Sequence, residues 1–89
     1  MTQPTIIDVR TPAEYAGGHI EGSYNFPLQE LAHHLDEIRV LPQPVIICCA
    51  SGIRSGQAAM FLNSEGIRCE NGGGWAGLIN QINNHVSIS

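Results

Sequence analysis

The sequence of 89 residues predicts an α/β sandwich, in which helices cover both faces of a mainly parallel central sheet. Segments with strand-like and helix-like spacing of apolar residues alternate along the chain. The continuously apolar run Val45–Cys48 is typical of a strand that is buried on both faces, as in a parallel sheet. Because the chain has no repeat or linker and its length suits one modest core, we expect residues 1–89 to form a single domain.

The first third of the chain predicts two short strands with a helix between them. Thr5–Val9 is the first strand. Thr11 can cap a short helix, because Glu14 lies three residues after it and Gly17–Gly18 ends the pattern. A second strand is expected around Ser23–Phe26, where a proline ends it.

The middle of the chain predicts a helix on either side of the buried strand. The first helix begins at Leu28, and its apolar residues recur with helical spacing at Leu28, Leu31, Leu35 and Ile38. The prolines in "LPQP" end this helix ahead of the strand. Helical spacing resumes at Ser55 and stops at Gly66, a residue type that suits the left-handed position after a helix.

The last part of the chain predicts a fourth strand and a closing helix. Ile67–Asn71 alternates weakly and is interpreted as the last strand, and Gly72–Gly74 is interpreted as a turn. Trp75–Asn84 carries apolar residues at helical spacing. Because sites in sheets of this kind collect at the carboxyl ends of strands, Cys49 stands out at the end of the most buried one.

The charge and hydropathy of the chain argue against two classes of partner. The net charge is −4, and the four basic side chains are arginines without a cluster, so we expect no nucleic-acid partner. The longest apolar run is far shorter than a membrane span, which predicts no membrane partner. No signal peptide is visible, which predicts a cytoplasmic protein, although a processed periplasmic form would have the same sequence.

The three cysteines predict at least one free thiol. Cys48 and Cys49 are adjacent, and neighbours on a strand point to opposite faces, so they are poor disulfide partners. No cysteine or histidine spacing matches a zinc site, and we expect neither a metal nor another cofactor. The odd thiol count fits a reducing compartment or a reactive cysteine.

Cys49 is the candidate nucleophile, because the segment after it suits a bound anion. The loop is short and contains Gly52, so its N–H groups can converge on the sulfur. The helix that follows adds its positive dipole end, and Arg54 adds a full positive charge. We expect these effects together to favour the thiolate and to lower the pKa of Cys49.

Three sequence blocks resemble the rhodanese-like family of sulfurtransferases, in the order and spacing of that family. The blocks are "DVRTPAEY", "GHIEGS" and "CASGIRS", and the similarity extends from Ile6 to about Ile79. The short chain is similar to the small single-domain members. The resemblance implies the rhodanese-like three-layer sandwich and a carrier of sulfane sulfur. In such a carrier the loop cysteine takes sulfur from thiosulfate or a persulfide, becomes a persulfide, and passes the sulfur to cyanide or a thiol.

The resemblance also implies roles for the loop residues. Cys49 aligns with the nucleophile, and the substrate cradle aligns with the residues that follow it, Ala50, Ser51, Gly52, Ile53 and Arg54. The loop from Cys49 to Arg54 has six residues, as in sulfur-transferring members, whereas related phosphatases and arsenate reductases use one residue more. Many members carry a basic residue at the position of Ala50, so its neutral side chain favours a persulfide donor over thiosulfate.

The other candidate residues are interpreted as structural. We expect Asp8 and Arg10 to form an ion pair or hydrogen bonds that hold the following loop. Cys48 is expected to be buried at the end of its strand, and Cys69 to be structural. His19 is interpreted as a structural turn residue and Trp75 as a core or rim aromatic residue. His33 and His34 are adjacent on a predicted helix and diverge, so we expect them to be exposed and to form no joint metal site. The sequence leaves a second class of function open, namely a persulfide carrier or interaction module that serves only a sulfur-relay protein.

Overall fold

A computed structural model describes residues 4–88, with side chains described through residue 83. Four strands form one fully parallel sheet in the order β2-β1-β3-β4. The strands are β1 (Thr5–Asp8), β2 (Tyr24–Asn25), β3 (Val45–Cys49) and β4 (Cys69–Gly74). The helices are α1 (Pro12–Ala16), α2 (Leu35–Arg39), α3 (Ile53–Ser64) and α4 (Trp75–Ile88), and a 3-10 helix (Leu28–His34) precedes α2.

The pleat of β3 places a hydrophobic core on each face of the sheet. On one face, Val45, Ile47 and Cys49 pack into a core that α2, α3 and the 3-10 helix cover. On the other face, Cys48 and the partly buried Ile46 pack against residues of α4. Helices therefore form a layer on each side, which confirms the predicted α/β sandwich and its parallel sheet.

Two helix ends follow the signals found in the sequence. Thr11 caps α1, because its Oγ1 accepts the N–H of Glu14 at 3.2 Å and its own N–H donates to Glu14 Oε1 at 2.9 Å. This reciprocal pair is a capping box. Gly66 follows α3 with a φ of 82°, and its N–H donates to the carbonyl of Asn63 at 3.0 Å. Both predicted ends are confirmed.

The segment that begins at Leu28 differs from the prediction of one α-helix. Its first part is the 3-10 helix, and only the short α2 that follows is α-helical. A 3-10 helix places residues three apart on the same side, which is the separation of Leu28 and Leu31. Leu31 is buried in the core as a result. The spacing of the apolar residues is therefore helical, as predicted. The three-residue interval between Leu28 and Leu31 belongs to a 3-10 helix and not to an α-helix.

The prediction that Gly72–Gly74 forms a turn is wrong, because these glycines belong to β4. The register with β3 shifts between Ile47 and Cys48, which leaves Gly72 as an extra residue in β4. A Cβ on Gly72 would lie 2.7 Å from a side-chain carbon of Ile46. Glycine is needed here because β4 passes too close to its neighbours for a side chain, and a tertiary contact of this kind leaves no local signal.

The predicted ion pair between Asp8 and Arg10 is confirmed and is buried. Arg10 Nη2 lies 2.7 Å from Asp8 Oδ2 and also donates to the carbonyl of Gly18 at 2.7 Å. Its Nη1 donates to the carbonyl of Glu14 at 3.3 Å, and its Cζ lies 4.8 Å from the centre of the Trp75 ring. The pair therefore fixes α1 against the end of β1, which positions the side chain of Glu14.

His19 and His34 contact groups that lie near them along the chain. His19 Nδ1 lies 2.8 Å from the carbonyl oxygen of Tyr15, and His34 Nδ1 lies 2.7 Å from Glu37 Oε1. Within the described part of the chain, no group of three or more His, Cys, Asp and Glu side chains could hold a metal ion. Between residues 4 and 88, no helix is long and apolar enough to cross a membrane.

Candidate active site

Cys49 is the last residue of β3 and lies at the carboxyl edge of the sheet, beside Gly74 of β4. Its side chain is 0% exposed and faces the core beneath α3. Sites in parallel sheets form at this edge, where loops and helix starts converge. Because the sulfur is buried, a reactant reaches it only when the residues around it move.

The sulfur of Cys49 accepts hydrogen bonds from the loop and from the first turn of α3. The N–H of Gly52 donates to Sγ at 2.9 Å, and the N–H of Ser55 donates to it at 3.4 Å. The Ser55 hydroxyl oxygen also lies 3.4 Å from the sulfur. Gly52 precedes α3 with a φ of 102°, a left-handed conformation that turns the chain back toward the sulfur. Free N–H groups at a helix start thus meet the candidate nucleophile.

The hydrogen bonds outweigh the cost of burying the Cys49 thiolate. Burial is the largest influence and by itself raises the pKa of Cys49. The Ser55 hydroxyl, the Ser55 N–H and the N–H groups of Gly52 and Ser51 lower it, with a net pKa of about 7. A substantial thiolate fraction is therefore present at neutral pH, and the thiolate is the nucleophilic form.

Asn71 of β4 ties the loop to the sheet. Its Oδ1 accepts the Ser55 hydroxyl at 2.6 Å and the N–H of Gly73 at 2.9 Å, and its Nδ2 donates to the carbonyl of Gly52 at 3.0 Å. The Ser55 hydroxyl has one proton, which Asn71 and the Cys49 sulfur share as alternative acceptors. The stability of the thiolate therefore depends on whether the Ser55 hydroxyl donates to the sulfur or to Asn71 of β4.

Replacing Ser55 by alanine is expected to raise the pKa of Cys49 by about one unit, because a hydroxyl donor to the thiolate is lost. The measurement is the rate of alkylation by iodoacetamide as a function of pH, with the modified residue identified by mass spectrometry. Ser51→Ala is the matched control, because Ser51 acts through its backbone N–H, which alanine keeps. Identical pH profiles for the two variants would contradict the role of the hydroxyl.

Glycines allow the loop to lie directly against β4. A Cβ on Gly52 would lie 3.3 Å from the Cα of Gly73, and a Cβ on Gly74 would lie 2.8 Å from the carbonyl oxygen of Ala50. Backbone therefore contacts backbone, with no room for intervening side chains. The shape of the loop, and with it the position of the N–H donors, depends on β4.

Arg54 has a different environment from the one that the sequence suggested. Helix α3 begins at Ile53, two residues before the predicted start at Ser55, so Arg54 lies inside its first turn. The guanidinium binds Glu14, with Nη1 to Oε1 at 2.8 Å and Nη2 to Oε2 at 3.0 Å. A positive charge is unfavourable at a helix start, and the carboxylate compensates it. The main groups that lower the pKa of Cys49 are hydrogen-bond donors rather than the Arg54 charge.

The other two cysteines have structural environments, as the sequence predicted. Cys48 faces the second core, and burial first and the Asp8 carboxylate second raise its pKa to about 12. Cys69 pairs with Val45 at the opposite end of β3, about 13 Å along the strand from Cys49. Burial also raises the pKa of Cys69. At this separation Cys69 cannot form a disulfide with Cys49.

The structure brings most of the predicted loop residues around the sulfur and adds others. Ser51 and Gly52 contribute N–H donors, and the Ala50 carbonyl faces β4. The Ile53 side chain is 72% exposed at the rim. Sequence reasoning did not assign three residues that contact the loop or the sulfur, namely Glu14, Ser55 and Asn71. A hydroxyl directly after Arg54 was a usable signal for Ser55, whereas the other two lie far away along the chain.

The fold and the site define an α/β domain whose cysteine loop stabilises a thiolate at the edge of a parallel sheet. The sequence model of the rhodanese-like domain matches residues 1–80. The chain belongs to the rhodanese-like domain family, which confirms the resemblance carried by the three sequence blocks.

Known relatives agree with this assignment. The chain is 46% identical over 61 residues to the uncharacterized protein YqhL of Bacillus subtilis, covering 68% of this chain and 48% of that protein. It is 36% identical over 70 residues to the thiosulfate sulfurtransferase PspE of Escherichia coli, covering 76% and 67%. A solved structure described as a rhodanese with anions from E. coli superimposes with a TM-score of 0.74 at 33% identity, covering 83% of this chain and 89% of that one.

The chain spans only part of several curated relatives. Its match covers 48% of YqhL, and it covers 59% of the thiosulfate sulfurtransferase GlpE of Shewanella oneidensis, to which it is 33% identical over 61 residues.

Proposed function

We propose that this protein is a sulfurtransferase that carries a sulfane sulfur as a persulfide on Cys49. The observation that carries the proposal is the sulfur of Cys49 within a ring of N–H and O–H donors, with a pKa of about 7. Membership of the rhodanese-like family supports it, as do relatives named thiosulfate sulfurtransferase. The compartment that we propose is the cytoplasm, because the three thiols are unpaired.

Loading begins with attack by the Cys49 thiolate on the terminal sulfur of the donor. With thiosulfate, the new S–S bond forms on Cys49, the donor's S–S bond breaks, and sulfite leaves with the bonding electron pair. With an organic persulfide, the same attack releases the donor's thiolate, and the proton stays on the transferred sulfur. The N–H groups of Gly52 and Ser55 hold negative charge at the sulfur during this exchange.

Unloading reverses the roles of the two sulfur atoms. An acceptor such as cyanide or a thiolate attacks the terminal sulfur of the persulfide, and the S–S bond to Cys49 breaks. Thiocyanate or a new organic persulfide leaves, and the Cys49 thiolate is restored. The same donors stabilise the departing thiolate, because they already stabilise it in the resting protein. A separate general base is unnecessary when the thiolate is preformed.

The test is intact mass spectrometry after incubation with thiosulfate or a small alkyl persulfide, followed by cyanide. We expect the wild-type protein to gain one sulfur atom and to lose it to cyanide. Cys49→Ala should gain none, whereas Cys69→Ala, which removes a thiol at the other end of the sheet, should load like the wild type. Loading from neither donor, or loading of Cys49→Ala, would contradict the proposal. Delivery of the loaded sulfur only to a partner protein would indicate a relay carrier.

A further inference from the structure

The guanidinium of Arg54 already forms an ion pair with a carboxylate in the resting protein. Glu14 binds the guanidinium through two parallel hydrogen bonds of 2.8 and 3.0 Å. This two-point geometry is the most favourable arrangement between arginine and a carboxylate. The two side chains are 34% and 37% exposed, so the pair lies at the rim of the site and not in the core.

Glu14 is held in place independently of Arg54. Its Oε1 accepts the N–H of Thr11 at 2.9 Å and the Thr11 hydroxyl at 3.1 Å, as part of the capping box of α1. The hydrogen bond from Arg54 first, and those from Thr11 next, lower the pKa of Glu14 to about 2. The carboxylate is therefore ionised at every pH at which Cys49 forms a thiolate, and it neutralises Arg54 throughout that range.

The remaining groups around the cradle add little net charge. The loop residues Ala50, Ser51, Gly52 and Ile53 are uncharged. The nearby charges of Asp8 and Arg10 pair with each other in the interior. An anionic donor that approaches the site is therefore attracted by the N–H groups, which act over a short range. It does not experience the longer-range electrostatic attraction of an unpaired guanidinium.

Arg54 also lines a small cleft. Its volume is about 90 Å³, and its lining consists of Val9, Thr11, Pro27, Leu28, Gln29 and Arg54. Of these six residues Arg54 alone is charged, and its guanidinium forms an ion pair with Glu14. The cleft therefore offers an anionic group no cation without a carboxylate partner.

We propose that Glu14 determines the class of sulfur donor, by neutralising Arg54 so that organic persulfides are preferred to thiosulfate. This proposal rests on the sulfurtransferase function proposed above. Thiosulfate is a dianion, so its approach to the Cys49 thiolate brings three negative charges together. A protonated persulfide with an uncharged tail brings no added charge to the same thiolate. Only the first reaction gains substantially from an unpaired guanidinium in the first turn of α3, the turn whose Ser55 N–H binds the sulfur.

The test is the rate of sulfur loading in Glu14→Gln, measured for each donor at low ionic strength. Glutamine keeps the capping box and the size of the side chain but removes the charge. We expect loading from thiosulfate to accelerate about three- to tenfold, and loading from an uncharged alkyl persulfide to change less than about twofold. The acceleration should diminish as salt is added, because free charge is screened.

Two further variants make the result specific. Glu65→Gln changes the net charge equally, but it removes the carboxylate charge of the Arg39–Glu65 pair, which lies beyond the far end of α3. We expect its loading rates to equal those of the wild type. The double variant Glu14→Gln with Arg54→Gln should return the ratio of the two donor rates to the wild-type value, because no guanidinium is then released.

Two outcomes would overturn this proposal alone. An unchanged donor ratio in Glu14→Gln, including an equal acceleration with both donors, would show that Glu14 does not select the donor. A ratio that stays altered in the double variant would show that the effect does not act through Arg54. Failure of the wild type to load from either donor is distinguishable from these results, because it would overturn the sulfurtransferase function and this proposal together.

Discussion

Arg10→Met is expected to lower the free energy of unfolding by about 3 to 5 kcal/mol. The substitution leaves the Asp8 carboxylate, which is 0% exposed, without its counter-charge. The backbone N–H of residue 10 would remain as a donor to this carboxylate at 3.0 Å, but a single neutral donor does not compensate a buried charge. The variant also loses the contacts to Gly18 and Trp75, which fix the end of α1.

The measurement is urea denaturation followed by far-ultraviolet circular dichroism, with comparison of midpoints and slopes. Arg39→Met is the matched control, because its partner Glu65 is 38% exposed and a surface pair contributes only about 0 to 1 kcal/mol. A loss in Arg10→Met as small as that in the control would contradict the importance of the buried pair. Adding Asp8→Asn to Arg10→Met should restore part of the stability, because the unpaired charge is removed.

Gly74→Ala is expected to reduce sulfur loading of Cys49 about 100-fold, because it displaces the loop that holds the sulfur. The added Cβ would lie 2.8 Å from the carbonyl oxygen of Ala50, which is backbone and cannot rotate away. Either the loop or β4 must move, and the N–H of Gly52 then leaves its 2.9 Å contact with the sulfur. Overpacking of this kind also costs about 1 to 3 kcal/mol of stability.

Gly77→Ala is the control for Gly74→Ala. Gly77 lies in α4 and a Cβ there meets no atom within 4 Å, so alanine should be neutral or stabilising by up to about 1 kcal/mol. Loading kinetics and the pH profile of alkylation should be measured for both variants. If Gly74→Ala keeps wild-type loading and the pKa of about 7 at Cys49, the loop does not depend on β4.

Local patterns were sufficient to predict the order of the elements. The capping box of Thr11 and Glu14, the apolar run of β3 and the stop at Gly66 are each encoded within a few neighbouring residues. The position of Cys49 at the carboxyl edge follows from the same run, because a parallel sheet brings its strand ends to one side. The resemblance to the family blocks then predicted that the loop after Cys49 is the substrate cradle.

Features that depend on long-range contacts could not be predicted in this way. Glu14 and Arg54 are 40 residues apart, and Ser55 and Asn71 are 16 apart, so only the folded sheet brings each pair together. Glycine has a low strand propensity, and three in succession favour a turn unless a neighbouring chain excludes side chains. That exclusion arises at Gly72 and Gly74 from tertiary contacts.

The adjacent residues Cys48 and Cys49 face opposite sides of the sheet, so their rates of alkylation report the opening of two different parts of the protein. An alkylating reagent reaches Cys49 when the loop opens locally, whereas Cys48 reacts only when the layer formed by α4 separates from the sheet. The difference in pKa between about 7 and about 12 widens the contrast at neutral pH. A single time course of modification, with the adjacent Cys48 and Cys49 distinguished by fragment ions, therefore separates local opening of the site from separation of α4 without any introduced label.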